Sequence, residues 1–313
     1  MLSRTTRKKP LIVFVVGPTA VGKSEVALRL AKRLDAEIIS CDSMQVYKGM
    51  EIITSKIPPA KRKIIPHHLI DVIPPDKEYD VSRYRRTAVR KVEEIIKRKK
   101  VPLFVGGTGL YLSVLLDGIF HLKPINPAIR KDLYRQAEDS KGIVLYARLK
   151  EVDSQTAAKI HSRDTKRIIR ALEVYESTGR TISDLQRRRK GLSDAYTPRV
   201  FCLTMPRQRL YARINTRVDT MFRQGLVAEI QRLKNLSLSK TASYAIGIRE
   251  LQSYFEGKCD LESARELIKR NTRRYAKRQL TWFRKDKRIK WVEIREKETP
   301  SMVARRIVRM LQE

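Results

Sequence analysis

The chain has 313 residues, of which 68 are Lys or Arg and 34 are Asp or Glu, so its formal net charge at pH 7 is +34. Hydrophobic residues make up 42% of the sequence, which is enough for a packed core and excludes a disordered basic tail. So large a positive charge favours a polyanionic partner, with nucleic acid as the first candidate, although a generally basic proteome would explain part of the excess.

The cysteines and the lengths of the apolar runs indicate the cellular compartment of the protein. Cys41, Cys202 and Cys259 are widely separated and odd in number, which argues against a disulfide framework and favours a reducing compartment. No run approaches the length of a membrane span, and the basic residues 1–10 lack the apolar run and cleavage site of a secretory signal. We therefore expect a cytoplasmic protein that has no contact with a membrane.

The first 120 residues alternate strand-like and helix-like segments. Continuous apolar, β-branched runs predict buried strands, and apolar residues at helical spacing predict the helices between them. The predicted strands are Leu11–Val16, Glu37–Ser40 and Val101–Val105, and the predicted helices are Glu25–Leu34 and Arg83–Lys99. This alternation, with glycines after the strands, predicts a three-layer α/β core on a mainly parallel sheet.

The character of the sequence changes near residue 122. A proline-bounded segment, Lys123–Pro127, leads into charged helical sequence, and Arg199–Thr204 later returns to a strand pattern. Long amphipathic helices then follow to the end of the chain. We therefore predict three parts: the first part of the core at 1–122, an α-helical insertion at 123–196, and core completion with basic C-terminal helices at 197–313.

The residues between the first strand and the first helix form a phosphate-binding loop. The pattern G-x-x-x-x-G-K-[ST] is matched, in the required strand–loop–helix context, by Gly17, Pro18, Thr19, Ala20, Val21, Gly22, Lys23 and Ser24. Backbone N–H groups of such a loop converge on phosphate oxygens, Lys23 adds a point charge, and the Ser24 hydroxyl can hold Mg²⁺. The motif predicts a di- or triphosphate ligand and leaves the chemistry open.

Two more polar residues follow strands and are predicted to lie near this loop. Asp42 comes after the second strand, where a carboxylate can bind Mg²⁺, cap a turn or act as a base, and the residues alone do not choose among these roles. The glycine turn at 106–109 would place the Thr108 hydroxyl near the phosphates, or it is an ordinary strand-to-helix turn. His67 and His68 are adjacent in sequence, which favours a structural role over metal binding.

Over nearly the whole chain, the motifs and their order resemble those of the tRNA dimethylallyltransferases, the bacterial isopentenyl-tRNA transferases. The matching stretches are GPTAVGKS, DSMQVYKGM, PHHLID, GGTGLY, RIIRALEVYESTG and YAKRQLTWFR. That family transfers a dimethylallyl group from its diphosphate to the exocyclic N6 of the adenosine just 3′ of the tRNA anticodon. The resemblance implies a P-loop NTPase-like core, Mg²⁺ as cofactor, and dimethylallyl diphosphate and the tRNA anticodon stem-loop as partners of a monomer.

The resemblance also implies roles for individual residues. Asp42 matches the base for the adenine amine, Thr108 the threonine near the breaking C–O bond, and Lys23 and Arg217 cations on the departing diphosphate; these are the four predicted catalytic residues. Ser24 is the predicted metal ligand. The predicted tRNA-contacting residues are Asp42, Ser43, Met44, Gln45, Thr108, Arg130, Lys166, Arg167, Ile168, Ile169, Arg170, Gly247, Arg249, Arg274 and Arg278.

Two runs of basic residues have the spacing of a helix face. The first comprises Arg163, Lys166, Arg167 and Arg170, and the second Lys269, Arg270, Arg273, Arg274, Lys277 and Arg278. A single stripe is usually a solvated face, but two stripes in a chain of charge +34 favour binding of an RNA backbone. The interleaved Tyr275, Trp282 and Phe283 are expected to pack into the core.

The chain departs from the family pattern at two places. Ile52-Ile53-Thr54-Ser55-Lys56 stands where the family usually has Ile-Gly-Thr-Ala-Lys, and Gly247-Ile248 stands where it has Gly-Tyr. We expect Ile53 to alter the local backbone or the approach to the prenyl donor. Three rivals stay open: an ATP-dependent small-molecule kinase, an RNA-binding protein without activity, and an enzyme that prenylates free adenine nucleotides. The net charge argues against the first.

Overall fold

A computed structural model describes residues 9–120, 126–139 and 142–313. In this part of the chain the strands are β1 (Leu11–Val16), β2 (Ala36–Cys41), β3 (His67–His68), β4 (Val101–Gly106), β5 (Thr197–Thr204) and β6 (Ile289–Glu293). They form one sheet in the order β3-β2-β4-β1-β5-β6, and every pairing is parallel. The predicted α/β core with a mainly parallel sheet is confirmed.

Helices flank the sheet on both faces and continue through the insertion. They are α1 (Lys23–Leu34), α2 (Pro59–Ile64), α3 (Val81–Lys97), α4 (Gly109–Asp117), α5 (Pro127–Asp139), α6 (Ile143–Val152), α7 (Ser154–Ala157), α8 (Thr165–Thr178), α9 (Ile182–Arg187), α10 (Leu192–Ala195), α11 (Arg207–Arg223), α12 (Leu226–Lys234), α13 (Ile248–Phe255), α14 (Leu261–Phe283) and α15 (Pro300–Gln312). Within the described ranges, no helix is both long and apolar enough to cross a membrane.

The central strand is apolar throughout because each face of the sheet is covered by helices. Val13 and Val15 of β1 pack in one core with α1 and α15, whereas Phe14 and Val16 pack in a second core with α3 and α4. Phe14 also stacks on Phe104 of β4, with ring centroids 4.6 Å apart. This arrangement fixes the carboxyl ends of β1, β2 and β4 side by side.

The chain divides into two compact units. One contains Met1–Leu116 and Leu192–Glu313, and the other is Asp117–Gly191 with its own apolar core around Leu133, Leu145 and Leu172. We predicted the insertion at 123–196; the helical unit begins and ends a few residues earlier, since Leu192 is buried in the core of the first unit. Part of the proline-bounded segment, residues 123–125, and the basic residues 1–8 lie outside the described residues.

The predicted strands and helices before residue 106 are confirmed, with small differences at their ends. Sequence analysis missed β3, which has only two residues, and β6, where Lys290 interrupts the apolar pattern. One prediction in the helical unit is wrong: Arg163 does not share a helix face with Lys166. The Asp164 carboxylate accepts the Arg167 N–H at 3.3 Å and caps α8, so the helix begins at Thr165, after Arg163.

Candidate active site

A cavity of about 900 Å³ lies outside the carboxyl ends of the central strands, where open α/β sheets bind their ligands. Its wall includes the phosphate loop, the segment from Asp42 to Ile57, part of α11 and part of α14. All these residues belong to the first unit. Of the predicted catalytic residues, Lys23, Asp42 and Arg217 line this cavity, and Thr108 is hydrogen-bonded to its wall at Ser43.

The phosphate loop turns sharply between β1 and α1. Gly17 has φ +145°, and a Cβ atom there would lie 2.5 Å from the Leu203 carbonyl oxygen of the neighbouring strand, so the close approach requires glycine. Lys23 folds back over the loop, and its Nζ donates to the Gly17 and Pro18 carbonyls at 3.0 and 2.8 Å. Burial lowers the pKa of Lys23 to about 8, although nearby Asp42 opposes the shift.

Two arginines of α11 accompany Lys23. The Arg217 guanidinium donates to Ser55 Oγ at 2.8 Å and to Thr19 Oγ1 at 2.9 Å, and burial lowers its pKa. Arg213, one turn earlier, donates to the Ala20 carbonyl at 3.0 Å. Sequence analysis missed Arg213, although its spacing of four residues from Arg217 places both on one helix face.

These three cations, Lys23, Arg213 and Arg217, share an unusual property. Within the described residues no carboxylate forms an ion pair with any of them, and their hydrogen-bond partners are neutral oxygens. Lys23 and Arg217 are partly withdrawn from water, which is costly unless an anion compensates, whereas Arg213 is exposed at the edge of the site. The arrangement therefore favours an anionic ligand at this end of the cavity, and a diphosphate group has the required charge.

Asp42 and Thr108 follow the ends of β2 and β4, the two strands next to the phosphate-loop strand β1 on one side. One Asp42 oxygen, Oδ1, accepts the Met44 N–H at 2.9 Å, which fixes the turn after β2. Thr108 Oγ1 accepts the Ser43 N–H at 3.0 Å, and the Thr108 N–H donates to the Cys41 carbonyl. The side chain of Asp42 lines the cavity that the cations also line, as expected for strand ends at one edge of a parallel sheet.

The segment that lines the cavity after β2 is held by buried polar side chains. Glu229 of α12 is only 2% exposed, and its carboxylate accepts the backbone N–H groups of Glu51, Ile52 and Ile53 at 3.0, 2.8 and 2.8 Å. Gln45 accepts from Ser40 and donates to the Thr54 carbonyl. These hydrogen bonds hold the segment in the position where Ser55 accepts from Arg217. Nothing in the sequence pattern indicated that Glu229 holds this segment.

The departure at Ile53 has a simple structural result. Ile53 is 8% exposed, and its Cδ1 lies 3.4 Å from where a Cβ on Gly247 would be, so it fills space beside that glycine. Its φ angle is not positive, so isoleucine causes no backbone strain at this position, and the expected change in the local backbone or in the approach to the donor stays a prediction. Ile53 lines the cavity wall, and Ile248 is partly buried against the same core.

Most of the predicted RNA-contacting residues of the first unit lie in the cavity wall or on the surface, and Arg278 does both. Met44, Ser43 and Gln45 line the cavity together with Arg278. Arg249, Arg274 and Arg278 are exposed, whereas Gly247 is buried at the start of α13. Arg249 lies over the ring of Tyr244, which is 52% exposed.

The C-terminal basic stripe is only partly a free surface. Lys269 is paired with Asp219 and Glu266, and Arg273 donates to Asn215 of α11 at 2.7 Å. Of the interleaved aromatic residues, Phe283 is buried as expected, but Trp282 is 39% exposed. The outward-facing cations of α14 are therefore Arg270, Arg274, Lys277 and Arg278.

The helical unit uses two of its predicted RNA-contacting arginines internally. Glu173 of α8 is buried and receives hydrogen bonds from Arg130 at 2.9 Å and Arg170 at 2.7 Å. Burial by itself would raise the pKa of Glu173, but the two guanidinium groups outweigh it and hold the pKa below its usual value. Lys166 and Arg167 remain exposed on the same helix.

Two predicted RNA contacts in the helical unit are corrected by the structure. Ile168 is 0% exposed and Ile169 is 1% exposed, because both pack in the core of this unit. Their side chains are therefore unavailable to RNA. The prediction assigned RNA contacts to every residue from 166 to 170. Successive residues of a helix point in directions about 100° apart, so they cannot all face the same partner.

A phosphate loop beside cations without ion-pair partners, with a carboxylate in the same large cavity, is typical of a phosphate-loop enzyme of the α/β class. Comparison with known proteins makes the assignment specific. The chain belongs to the IPP transferase family, whose pattern matches residues 45–286, and the isopentenyl transferase pattern matches residues 10–64. The family resemblance seen in the motifs is confirmed.

Several named proteins are similar over most of their length. The tRNA dimethylallyltransferase of Carboxydothermus hydrogenoformans is 47% identical over 90% of this chain and 91% of its own, and that of Thermotoga maritima is 45% identical over 90% and 92%. The crystal structure of tRNA isopentenylpyrophosphate transferase from Bacillus halodurans is 36% identical, covers 97% of both chains and has a TM-score of 0.71. A eukaryotic dimethylallyltransferase acting on tRNA is 30% identical over 91% of this chain and 74% of its own, with a TM-score of 0.76.

Proposed function

We propose that this enzyme transfers a dimethylallyl group from dimethylallyl diphosphate to the exocyclic N6 amine of the adenosine just 3′ of the tRNA anticodon. One observation carries the proposal: three cations without carboxylate partners and the Asp42 carboxylate line a single cavity. Membership of the IPP transferase family supports the same reaction. We further propose that the enzyme acts in the cytoplasm as a monomer.

The cations would serve the leaving group. The N6 nitrogen attacks C1 of the donor, the C1–O bond breaks, and its electron pair leaves with the diphosphate. Negative charge therefore grows on the bridging oxygen, where Lys23 and Arg217 can stabilise it more strongly in the transition state than in the ground state. Because they are fixed before the donor binds, little reorganisation is needed.

Asp42 would serve the nucleophile. As the nitrogen forms its new bond to carbon it loses a proton, and a carboxylate within reach of that proton can accept it. Asp42 Oδ1 is already engaged by the Met44 N–H, so we assign proton acceptance to Oδ2. The target base must leave the anticodon-loop stack to reach this group, as in other enzymes that act on bases.

We propose Mg²⁺ as the cofactor, and the residues present fit it. Mg²⁺ prefers oxygen ligands and commonly takes most of them from substrate phosphates and water, with one or two from the protein. Ser24 lines the cavity beside Lys23, and no cluster of three or more His, Cys, Asp or Glu suited to a metal occurs in the described residues. Ser24 would hold the ion, which would neutralise diphosphate charge when bound.

For RNA, we propose that exposed cations of each unit contact the tRNA backbone. Arg274 and Arg278 are candidates in the first unit, and Lys166 and Arg167 in the helical unit, which we propose grips the anticodon arm. Each phosphate contact of this kind contributes to a steep dependence of affinity on salt.

The test uses the purified full chain with tRNA, dimethylallyl diphosphate and Mg²⁺, and no ATP. We expect N6-prenylated adenosine, detected by mass spectrometry of digested nucleosides, together with released diphosphate. A tRNA carrying guanosine at the target position is the matched control and should not react. Strict dependence on ATP, or a phosphorylated product, would instead establish the kinase alternative. Prenylation of free adenine nucleotides in preference to tRNA would change the assigned acceptor.

A further inference from the structure

A buried glutamine connects the two halves of the site. Gln279 of α14 is 6% exposed, and its side-chain amide reaches two loops that are far away in sequence. Its Oε1 accepts the Thr19 N–H of the phosphate loop at 2.8 Å, and its Nε2 donates to the Gly107 carbonyl at 2.9 Å. A backbone N–H only donates and a carbonyl only accepts, so the two partners fix the orientation of the amide.

The two loops have different tasks in the proposed reaction. The phosphate loop holds the leaving group, and the turn that contains Gly107 carries Thr108, which in turn holds Ser43 beside Asp42. Gln279 therefore bridges the diphosphate side and the acceptor side of the cavity. The Thr19 N–H is occupied by this bond, so it supports the shape of the loop and does not face a phosphate.

The packing around Gly107 shows how closely the amide fits. A Cβ atom at Gly107 would lie 2.1 Å from Gln279 Nε2, and the φ angle of Gly107 is not positive. A side chain at position 107 would therefore displace the Gln279 amide, although the backbone conformation would accept one. The next contacts of that Cβ, at 3.3 Å, are Gln279 Cδ and the Gly17 carbonyl oxygen.

We propose that Gln279 is a positioning residue that sets the separation between the phosphate loop and the turn carrying Thr108. The inference rests on the proposed function, because it assigns the two loops to the donor and the acceptor. Gln279 also lines the cavity, and we assign its effect to the positions of its two hydrogen-bond partners, Thr19 and Gly107. Its loss should lower the rate of the chemical step more than it weakens donor binding, since small misplacements of reacting groups cost about 10²-fold in rate.

The first experiment measures single-turnover transfer with both substrates saturating. We expect Gln279→Met, which has a similar shape and cannot make either hydrogen bond, to lower the rate about 10–100-fold while the Kd for dimethylallyl diphosphate changes less than about threefold. Gln252→Met, at an exposed position on α13, is the matched control and should react like wild type. Thermal unfolding of each variant checks that the fold is intact.

Gln279→Glu gives a readout that a purely structural role would not produce. A carboxylate still accepts the Thr19 N–H but repels the Gly107 carbonyl, whereas a protonated carboxyl can also donate to it. The charged form of this variant should therefore lose rate although it keeps the Thr19 contact, and its rate relative to wild type should recover when the carboxyl is protonated. A wild-type rate in Gln279→Glu with the carboxyl charged would contradict the bridge to Gly107.

A double-mutant cycle completes the test. Gly107→Ala should impair the wild type but add less than about twofold in a Gln279→Ala background, where the clashing amide is gone. Full single-turnover rates in the Gln279 variants, a defect confined to tRNA affinity, or additive effects in the cycle would overturn the inference. Absence of any transfer by the wild type would instead overturn the proposed function.

Discussion

Arginine and lysine are used differently in the two units of this chain. In the first unit, Lys23 and Arg217 are partly buried in the cavity wall, with carbonyl and hydroxyl oxygens as partners. In the helical unit, Arg130 and Arg170 are about half exposed and share the buried carboxylate of Glu173. The first pair lacks a counter-charge and is suited to receive one from a ligand, whereas the second is already neutralised within the fold.

This comparison distinguishes two roles of basic residues in a chain of charge +34, namely ligand binding and internal ion pairing. A cation count, or a helical spacing of cations, does not distinguish a ligand-binding group from a structural one. The hydrogen-bond or ion-pair partner of each cation distinguishes the two roles. The following predictions test the distinction, beginning with the largest expected effect.

Burial lowers the pKa of both Lys23 and Arg217, and the Asp42 carboxylate opposes this shift and so completes the charge pattern of the cavity. We expect Asp42→Asn to lower the single-turnover rate by about 10²–10⁴, because the amide keeps the shape but cannot accept the proton. Donor affinity should be little changed. A wild-type rate in this variant would show that Asp42 only positions substrate.

Lys23→Ala removes one buried cation from the leaving-group side. We expect kcat to fall about 10²–10³-fold, as for loss of one preorganised group that stabilises developing negative charge. Lys91→Ala is the control, because Lys91 pairs with Glu94 on the surface of α3. The free energy of unfolding, measured in urea, should not fall in Lys23→Ala, since an uncompensated buried charge is removed. A loss of stability together with unchanged activity would reverse the comparison.

Glu173→Gln tests the ion pairs of Glu173 with Arg130 and Arg170 inside the helical unit. We expect the variant to lose about 1–2 kcal/mol of stability at neutral pH, because two charged hydrogen bonds weaken while the arginines stay partly solvated. The pKa of Glu173 is lowered in the folded state, so this stabilisation is present above the unfolded-state pKa and is lost as the pH falls through the folded-state pKa. The difference from wild type should therefore vanish in acid. Glu94→Gln, which removes the solvated pair with Lys91 on α3, is the control and should cost less stability than Glu173→Gln.

The smallest effect is expected for Arg167→Ala on the exposed face of α8. It should weaken binding of an anticodon stem-loop a few-fold and reduce the slope of log K against log salt by about one unit. Binding of dimethylallyl diphosphate should be unchanged. Arg170→Ala is the comparison variant, since it also disturbs Glu173 and should lower stability as well. An unaltered salt slope in Arg167→Ala would remove this residue from the RNA-binding surface.

The sequence was most informative where function depends on contiguous residues. The phosphate loop is eight consecutive residues between a strand and a helix, so the motif and its context predict the geometry together. Asp42 and Thr108 were predictable as neighbours because the ends of adjacent parallel strands meet at one edge of a sheet. The family motifs then suggested a role for each.

The sequence was least informative where a site depends on distant side chains. Gln279 reaches Thr19 across 260 residues, and Glu229 reaches Glu51 across 178, so no local pattern connects them. Ile168 and Ile169 were misassigned because a contiguous motif on a helix contains both buried and exposed faces. The Arg130 and Arg170 pairs with Glu173 could not be distinguished from RNA contacts without the packing of α5 against α8.

The central claim is that Lys23, which lines the cavity and has only carbonyl oxygens as hydrogen-bond partners, binds the diphosphate of the donor. Its lowered pKa of about 8 makes the claim measurable as the Kd for dimethylallyl diphosphate, without tRNA, across pH 7 to 10. Bound diphosphate favours the charged amine, so affinity should fall towards about tenfold per pH unit above pH 8 in the wild type. In Lys23→Ala the binding should be weak and lack this decrease. A wild-type Kd with the same pH dependence as that of Lys23→Ala would contradict the account.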